Sequence, residues 1–391
     1  MSEPSDTPAV PAALKRSVIP KTIVAICVVV LVASAGLFAA GRWGVLAPEA
    51  LLLIEARTDG LKIGRFGRLK IEGLSGDVWR DFRVRRLTIR DEKGVWLEAK
   101  NLHLQWRYLE LLRRRFDADL IEAESLRLVR RPTLGPKGKD RGLPVSFHID
   151  ALRTRVVLEE GFSYRRGVYD LSANLAIERA GGRSGKVAAK SILHPGDHLD
   201  VDFALGPKVP LRLTADAVEA QGGALAGALG LPADQPFELV VRASGKASEG
   251  RFQATARSGE LTPVLARGAW RPDGGTAGGR VLLAASTLTR PLMARFGPEV
   301  RFGLAGKRAD KQFHDLEGRI YADNLTVVLS GRGNLGERRL APQGVRIQAT
   351  TPDLQRLAGG PEMQAGRLTG VVTGTLAEWK FAGHATVSDL S

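Results

Sequence analysis

Residues 94–106, GVWLEAKNLHLQW, decide how this chain is read. Val95, Leu97 and Ala99 alternate with Trp96, Glu98 and Lys100, and Leu102, Leu104 and Trp106 alternate with His103 and Gln105. Successive side chains of an extended strand point to opposite faces, so each half of the segment predicts one apolar and one polar face. The phase slips by one residue between Ala99 and Leu102, and again between Val84 and Leu87, which predicts a bulge or bend there.

The same alternation spreads in both directions. It recurs at Leu69 and Ile71, Phe82 and Val84, Leu87 and Ile89, and then at Val145, Phe147 and Ile149. Leu171, Ala173, Leu175 and Ile177 repeat it, as do Val201, Phe203 and Leu205, Leu211 and Leu213, and Phe237, Leu239 and Val241. Phe252, Val281, Phe302, Val327, Ile347, Val371 and Phe381 carry it towards the end. Turn chemistry separates the runs at Asp91-Glu92-Lys93-Gly94, Pro195-Gly196 and Pro272-Asp273-Gly274-Gly275. The expected fold class is all-β: an elongated antiparallel β-groove of about 25 strands, grown as an open meander. The exceptions are a helical crossover from Tyr108 to Arg115 and a Pro- and Gly-containing loop over 132–144.

The first fifty residues carry a different signal. From Thr22 to Gly41 the chain reads TIVAICVVVLVASAGLFAAG, twenty residues without a charge. As a helix this rises about 30 Å, the depth of a bilayer core. Lys15, Arg16 and Lys21 precede it, so residues 1–21 are expected to be a cytoplasmic tail, 22–41 a single-pass anchor in the cell inner membrane, and the bulk to lie in the periplasm. A cleaved signal peptide is the alternative, because Ala33-Ser34-Ala35 makes an A-x-A site; the apolar run continuing past it favours the anchor. Trp43 suits an interfacial position, and a short amphipathic helix with Ala50, Leu53 and Ile54 on one face is expected within 42–61. Cys27, the single cysteine, lies inside the apolar run, so the exported part has no disulfide, thiolate metal site or cysteine nucleophile.

The net charge of +15 would ordinarily raise nucleic-acid binding. The basic residues are spread along the strands of an exported chain, so they read as a solvated face and no nucleic-acid partner is expected. The sharper alternative is attraction to anionic headgroups, about 1 kcal/mol per Lys or Arg near a charged membrane. Arg113, Arg114 and Arg115 are its candidates.

Motifs of chemistry are sparse. His194 and His198 have His-x3-His spacing, but a Pro-Gly turn between them does not hold two imidazoles on one helix face. Gly331, Gly333 and Gly336 form a literal G-x-G-x-x-G, yet Pro342 and Gly344 leave no room for the helix that would hold a pyrophosphate, and a hairpin loop is the expectation. No P-loop or G-x-S-x-G occurs. No catalytic residue, cofactor or metal is expected, and the chain is not read as an enzyme.

The segment DFRVRRLTIRDEKGVWLEAKNLHLQWRYLELLRRRFDADLIEAESLRL, from Asp81 to Leu128, resembles the N-terminal region of the TamB family, the inner-membrane subunit of the translocation and assembly module, within the AsmA-like, bridge-like lipid-transfer group. The likeness lies in the hairpin, the strand ending in Trp106, the YLELLRRR crossover and the IEAESLRL strand, preceded by LKIEGLSG from Leu69 to Gly76. The resemblance implies a taco-shaped β-groove, with 62–131 as its N-terminal cap and 145–391 as its repetitive body. It also implies phospholipid transport between the inner and outer membranes and outer-membrane biogenesis, or a scaffold for autotransporter secretion with an outer-membrane BamA-like barrel subunit. The family's long continuation is absent after Val387-Ser388-Asp389-Leu390-Ser391, so the chain is read as a fragment, with barrel docking assigned to a missing region.

A groove of this kind needs no catalytic group. Placing a tail of about fifteen methylenes in water costs on the order of 12 kcal/mol, and an apolar trough removes most of that while the headgroup stays wet. The expected lining is Phe82, Val84, Leu97, Leu104, Phe147, Ile149, Leu175, Val201, Phe203, Leu239, Val241, Phe302 and Val327, with membrane phospholipids as partners.

Overall fold

The computed structural model describes residues 48–135, 145–179, 181–206, 209–246, 248–334, 337, 339–358, 365–375 and 378–388. The chain divides into two compact units, 1–51 and 52–391, and the second carries the sheet. The expected anchor from Thr22 to Gly41, Trp43 and most of the loop at 132–144 lie outside the described residues. Among the described residues no helix is long and apolar enough to cross a membrane.

Among the described residues one helix, α1 (Pro48–Thr58), precedes the strands. Leu52 and Leu53 on it are 62% and 66% exposed, so Leu53 is not on a covered face; Glu55 instead accepts a hydrogen bond from the Leu74 backbone N–H. The strands of the first part are β1 (Leu61–Lys62), β2 (Arg68–Asp77), β3 (Asp81–Asp91), β4 (Gly94–Trp106), β5 (Arg115–Arg130), β6 (Ser146–Glu159), β7 (Gly167–Ile177), β8 (Arg183–Ser191), β9 (His198–Leu205) and β10 (Leu211–Glu219). They continue as β11 (Phe237–Gly245), β12 (Gly250–Ser258), β13 (Leu261–Arg271), β14 (Gly274–Leu282), β15 (Glu299–Arg308), β16 (His314–Ala322), β17 (Leu325–Asn334), β18 (Arg339–Thr351), β19 (Ala365–Gly374) and β20 (Trp379–Ser388). These twenty strands of the described residues belong to one sheet, against the roughly 25 expected, because several apolar pairs fall within a single longer strand. Each strand pairs with its sequence neighbours, and the sheet is open, ending at β1 and β20.

The decisive segment forms β4, with corrections. Asp91 closes the β3–β4 turn by accepting the Lys93 N–H at 2.8 Å, and Gly94 takes φ +104, which a residue with a Cβ would resist. The ladder passes from Ile89–Leu97 directly to Arg90–Val95, leaving Trp96 as a bulge. Trp96 is therefore 8% exposed, with its indole N–H on the Phe66 carbonyl at 2.8 Å, while Val95, expected on the covered face, is 40% exposed. The expected irregularity before Leu102 is present as a bend and not as a bulge: the pairing keeps its register from Val84–Leu102 to Arg86–Lys100, the pair between them is lost, and Asn101 has φ +48.

A second correction concerns the crossover. Tyr108–Arg113 is a 3₁₀ helix joining two antiparallel strands, so it is a hairpin connection. The chain crosses over one step later. β5 and β6 pair in parallel, which demands a long connection, and residues 131–145 supply it.

Short helices line one rim, and the sequence reading did not foresee them. α2 (Glu160–Ser163) joins β6 to β7, α3 (Ala224–Ala228) joins β10 to β11, α4 (Arg290–Phe296) with a preceding 3₁₀ turn joins β14 to β15, and α5 (Leu354–Ala358) joins β18 to β19. They recur every fourth strand, and the intervening connections at that rim are tight. Carbonyls near the helix ends, which lack intrahelical partners, are met by neighbours along the rim. Arg131 donates to the Gly227 carbonyl at 2.8 Å, Ser286 to Leu229 at 2.7 Å and Arg356 to Ala294 at 2.6 Å. At the start of α3 the fully buried Glu219 carboxylate accepts the N–H groups of Leu225 (2.9 Å) and Ala226 (2.8 Å) and the Tyr169 hydroxyl (2.6 Å). Burial and the adjacent Glu219 carboxylate push the Tyr169 hydroxyl well above the ordinary phenol range, so it stays a donor.

Candidate functional site

Strand register turns the alternation of single strands into rows that cross the sheet. One row takes a residue from every strand between β3 and β20: Phe82, Leu104, Ile121, Leu152, Ala173, Val187, Val201, Ala215, Val241, Ala254, Ala266, Gly279, Phe302, Ile320, Val327, Ala349, Leu368 and Ala385. None carries a polar side chain. From Phe82 to Ala349 they are buried or half-buried; Leu368 and Ala385, beside the open edge, are exposed.

Rows on either side are equally apolar. On the side of the rim helices runs Leu171, Ala189, Leu199, Ala217, Leu239, Ala256, Val264, Val281, Val300, Ala322 and Leu325. On the other side runs Ile149, Leu175, Gly185, Phe203, Leu213, Ala243, Phe252, Gly268, Ala277, Leu304, Gly318, Leu329, Ile347, Gly370 and Gly383. In this last row bulky residues face glycines across the strands. A Cβ on Gly268 would stand 2.4 Å from the Phe252 ring, and one on Gly370 2.4 Å from Phe381, a neighbour on the next strand. Rings fold over the gaps, and the row keeps a low, even relief.

The rim helices cover only part of this face. Two clusters lie beneath them: Val156, Leu158, Tyr169, Ala189 and Ala224, and Ala217, Ala226, Leu231, Phe237 and Ala285. Leu199, Leu225 and Leu239 pack against the second. Among the described residues no helix of the rim clusters packs on the middle row beyond Ala215, and most of its members are half-buried.

Each expected lining residue can now be placed. Phe82, Leu104, Val201, Val241, Phe302 and Val327 are members of the middle row, Leu239 of the helix-side row, and Ile149, Leu175 and Phe203 of the opposite one. Phe147, two residues before Ile149 on β6, pairs with Ile177 and tilts against Phe116 with ring centroids 5.8 Å apart. Val84, 1% exposed, pairs with Leu74 and Leu102, and Leu97 with Ile89 and Leu128, on either side of the phase slip.

The reverse face carries the charge, in pairs. Lys186 and Arg212 both meet Asp202, at 3.5 and 3.0 Å, Arg242 meets Asp216 at 2.9 Å, and Arg332 meets Asp315 at 2.7 Å. An open cavity of 1020 Å³ on this face is lined by Arg212, Arg242, Arg251 and Arg267 among Thr214, Ser244, Gln253 and Thr276, with Phe252 and alanines also lining it. A different cavity, of 870 Å³, lies on the apolar face towards the open edge, walled by Leu316, Leu340, Ile347, Leu368, Val372, Trp379 and Phe381, with Asn334, Arg339 and Thr375 also lining it.

The arginine triplet is partly occupied. Arg113 and Arg115 both reach Glu110, at 3.1 and 3.0 Å, and Arg115 also meets the buried Asp117 at 2.8 Å. Arg114 is exposed and holds the left-handed C-cap of the 3₁₀ helix, φ +57. His194 and His198 do not converge on a metal: His198 Nδ1 lies 2.8 Å from the Gly196 carbonyl, and its Nε2 lies 3.6 Å from Asp216. Among the described residues no group of three His, Cys, Asp or Glu could hold a metal ion. Gly331 and Gly333 lie within β17, so the expected hairpin connection to the antiparallel β18 begins later, after Asn334; Gly336 lies outside the described residues.

Comparison with protein-family models, with curated proteins and with solved structures returns no match.

Proposed function

We propose that this chain is an inner-membrane-anchored periplasmic carrier of phospholipid, its apolar sheet face serving as the trough along which acyl chains move between the two membranes. The observation that supports this most is the unbroken middle row, apolar on every strand from Phe82 to Ala385, over which the described residues place no second sheet. An uncovered apolar stripe of this length is unfavourable in water unless something apolar occupies it. A lipid tail satisfies it without specific chemistry, because the three rows carry no polar side chain that must be matched. The reverse face, with its ion pairs, keeps the sheet soluble and adds little to stability, at most about 1 kcal/mol per exposed pair. The resemblance of the Asp81 to Leu128 segment to the TamB family leads to the same reading.

The test is lipid content. The full chain extracted from membranes is expected to retain phospholipid through purification, and delipidated protein to take it up again from vesicles. Delipidated protein that takes up none would refute the reading. A scaffold for outer-membrane protein assembly is the second reading; the apolar face suits a nascent β-strand as well as a tail, and a protein adduct without lipid would favour it.

A further inference from the structure

We propose that the cavity between β16 and β20 is a holding site for an anionic phospholipid, with its tails on the apolar wall and its phosphate at Arg339 and Asn334. The inference rests on the lipid reading and adds to it a fixed position and a charge preference. This cavity joins an apolar wall to donors that have no partner among the described residues. Leu340, Ile347, Leu368 and Phe381 form the wall. Asn334 and Arg339 are cross-strand partners and both line the cavity.

Their donors are left over. The Arg339 guanidinium is held over the Phe313 ring, 5.4 Å from its centroid, and Glu337 engages it through Nε alone. Neither Nη group has a hydrogen-bond partner among the described residues, and the side chain is 39% exposed. Asn334 Oδ1 accepts the Glu337 N–H at 2.9 Å, which commits its oxygen and leaves Nδ2 without a partner among the described residues. A fixed guanidinium edge beside an amide N–H matches two oxygens of a phosphate. In the cavity of the reverse face, Arg212 and Arg242 are held by Asp202 and Asp216, and the lining mixes Phe252 and alanines with Thr214, Ser244 and Gln253.

The experiment places a photoreactive residue at Leu368 or at Val201 in the full chain, supplies equal phosphatidylglycerol and phosphatidylethanolamine, and identifies the adducts by mass. The ratio of anionic to zwitterionic adducts at Leu368 is expected to exceed that at Val201 about fivefold, the effect of one basic group near a headgroup. Arg339→Gln is expected to bring the Leu368 ratio down to the Val201 value, and Arg339→Lys to keep most of the preference. Adducts at Val201 with equal ratios at the two positions in the unmutated protein, or a Leu368 ratio indifferent to Arg339→Gln, would overturn the holding site and leave the carrier standing. Absence of lipid at both positions would overturn both.

Discussion

Gly318 on β16 faces Leu329 on β17 so closely that a Cβ on the glycine would stand 2.7 Å from Leu329 Cγ, and equally 2.7 Å from Leu304 Cδ2 on the other side. Two leucines share the space of one missing side chain. Gly318→Ala is therefore expected to cost about 1–3 kcal/mol by overpacking. Leu329→Ala in the same chain should return part of that loss, because it removes one of the atoms in the way. Urea unfolding of the two single variants and the double variant checks this, and strictly additive losses would contradict the packing described.

Glu219 fastens α3 to the sheet through three donors, all away from solvent. Glu219→Ala strands two backbone N–H groups and a tyrosine hydroxyl, and should destabilise by about 3–5 kcal/mol, the range for breaking a buried charged network. Tyr169→Phe removes one hydrogen bond to a charged group and should cost about 1.5–3 kcal/mol. Thermal unfolding of both variants measures the difference.

Acid should loosen the crossover between β5 and β6. Asp91, with its side chain 4% exposed, binds the Arg130 guanidinium through both oxygens and accepts the Thr133 and Lys93 N–H groups. The Arg130 pair, first, and those backbone donors hold its carboxyl well below the ordinary Asp range. A depressed folded-state pKa contributes stability that is whole above the unfolded value, about 3.9, and is lost as pH falls through the folded one. Stability measured from pH 6 downwards should fall below about pH 4, and Asp91→Asn should flatten that part of the profile.

A charge in the middle row should obstruct the trough while sparing the fold. Val201 is half-buried and pairs with Val187 and Ala215, both apolar. Val201→Asp is expected to lower lipid retention several-fold. Asp202→Asn, one residue away on the charged face, should leave it unchanged. Lipid quantified per purified chain distinguishes the two.

Much of the sheet was legible because a period of two survives wherever one face is apolar and the other wet. The phase slip at Ala99 to Leu102 could be seen because an αL residue, Asn101, shifts the alternation by one. Trp96 could not be placed, since a bulge assigns its own residue to either face and packing over Phe66 decided it. The rim helices were invisible for a different reason. Stretches such as EGFS at 160–163 and ALAGA at 224–228 are shorter than the turns that make helical periodicity detectable, and α3 depends on Glu219, a tertiary partner on β10. The parallel β5–β6 pair lay equally out of reach, because alternation specifies a face and not the direction of the neighbouring strand. Donors at Asn334 and Arg339 went unnoticed because they converge only through the register of β17 with β18.

The most direct measurement is site-specific photocrosslinking in cells at Phe203, Leu239 and Val327, one residue from each apolar row, with Asp202 and Arg242 on the reverse face as controls, and mass analysis of the adducts. The carrier account predicts phospholipid adducts at the three apolar positions and none at the two charged ones. Protein adducts alone at Phe203, Leu239 and Val327 would contradict it and make the face a docking surface for polypeptide.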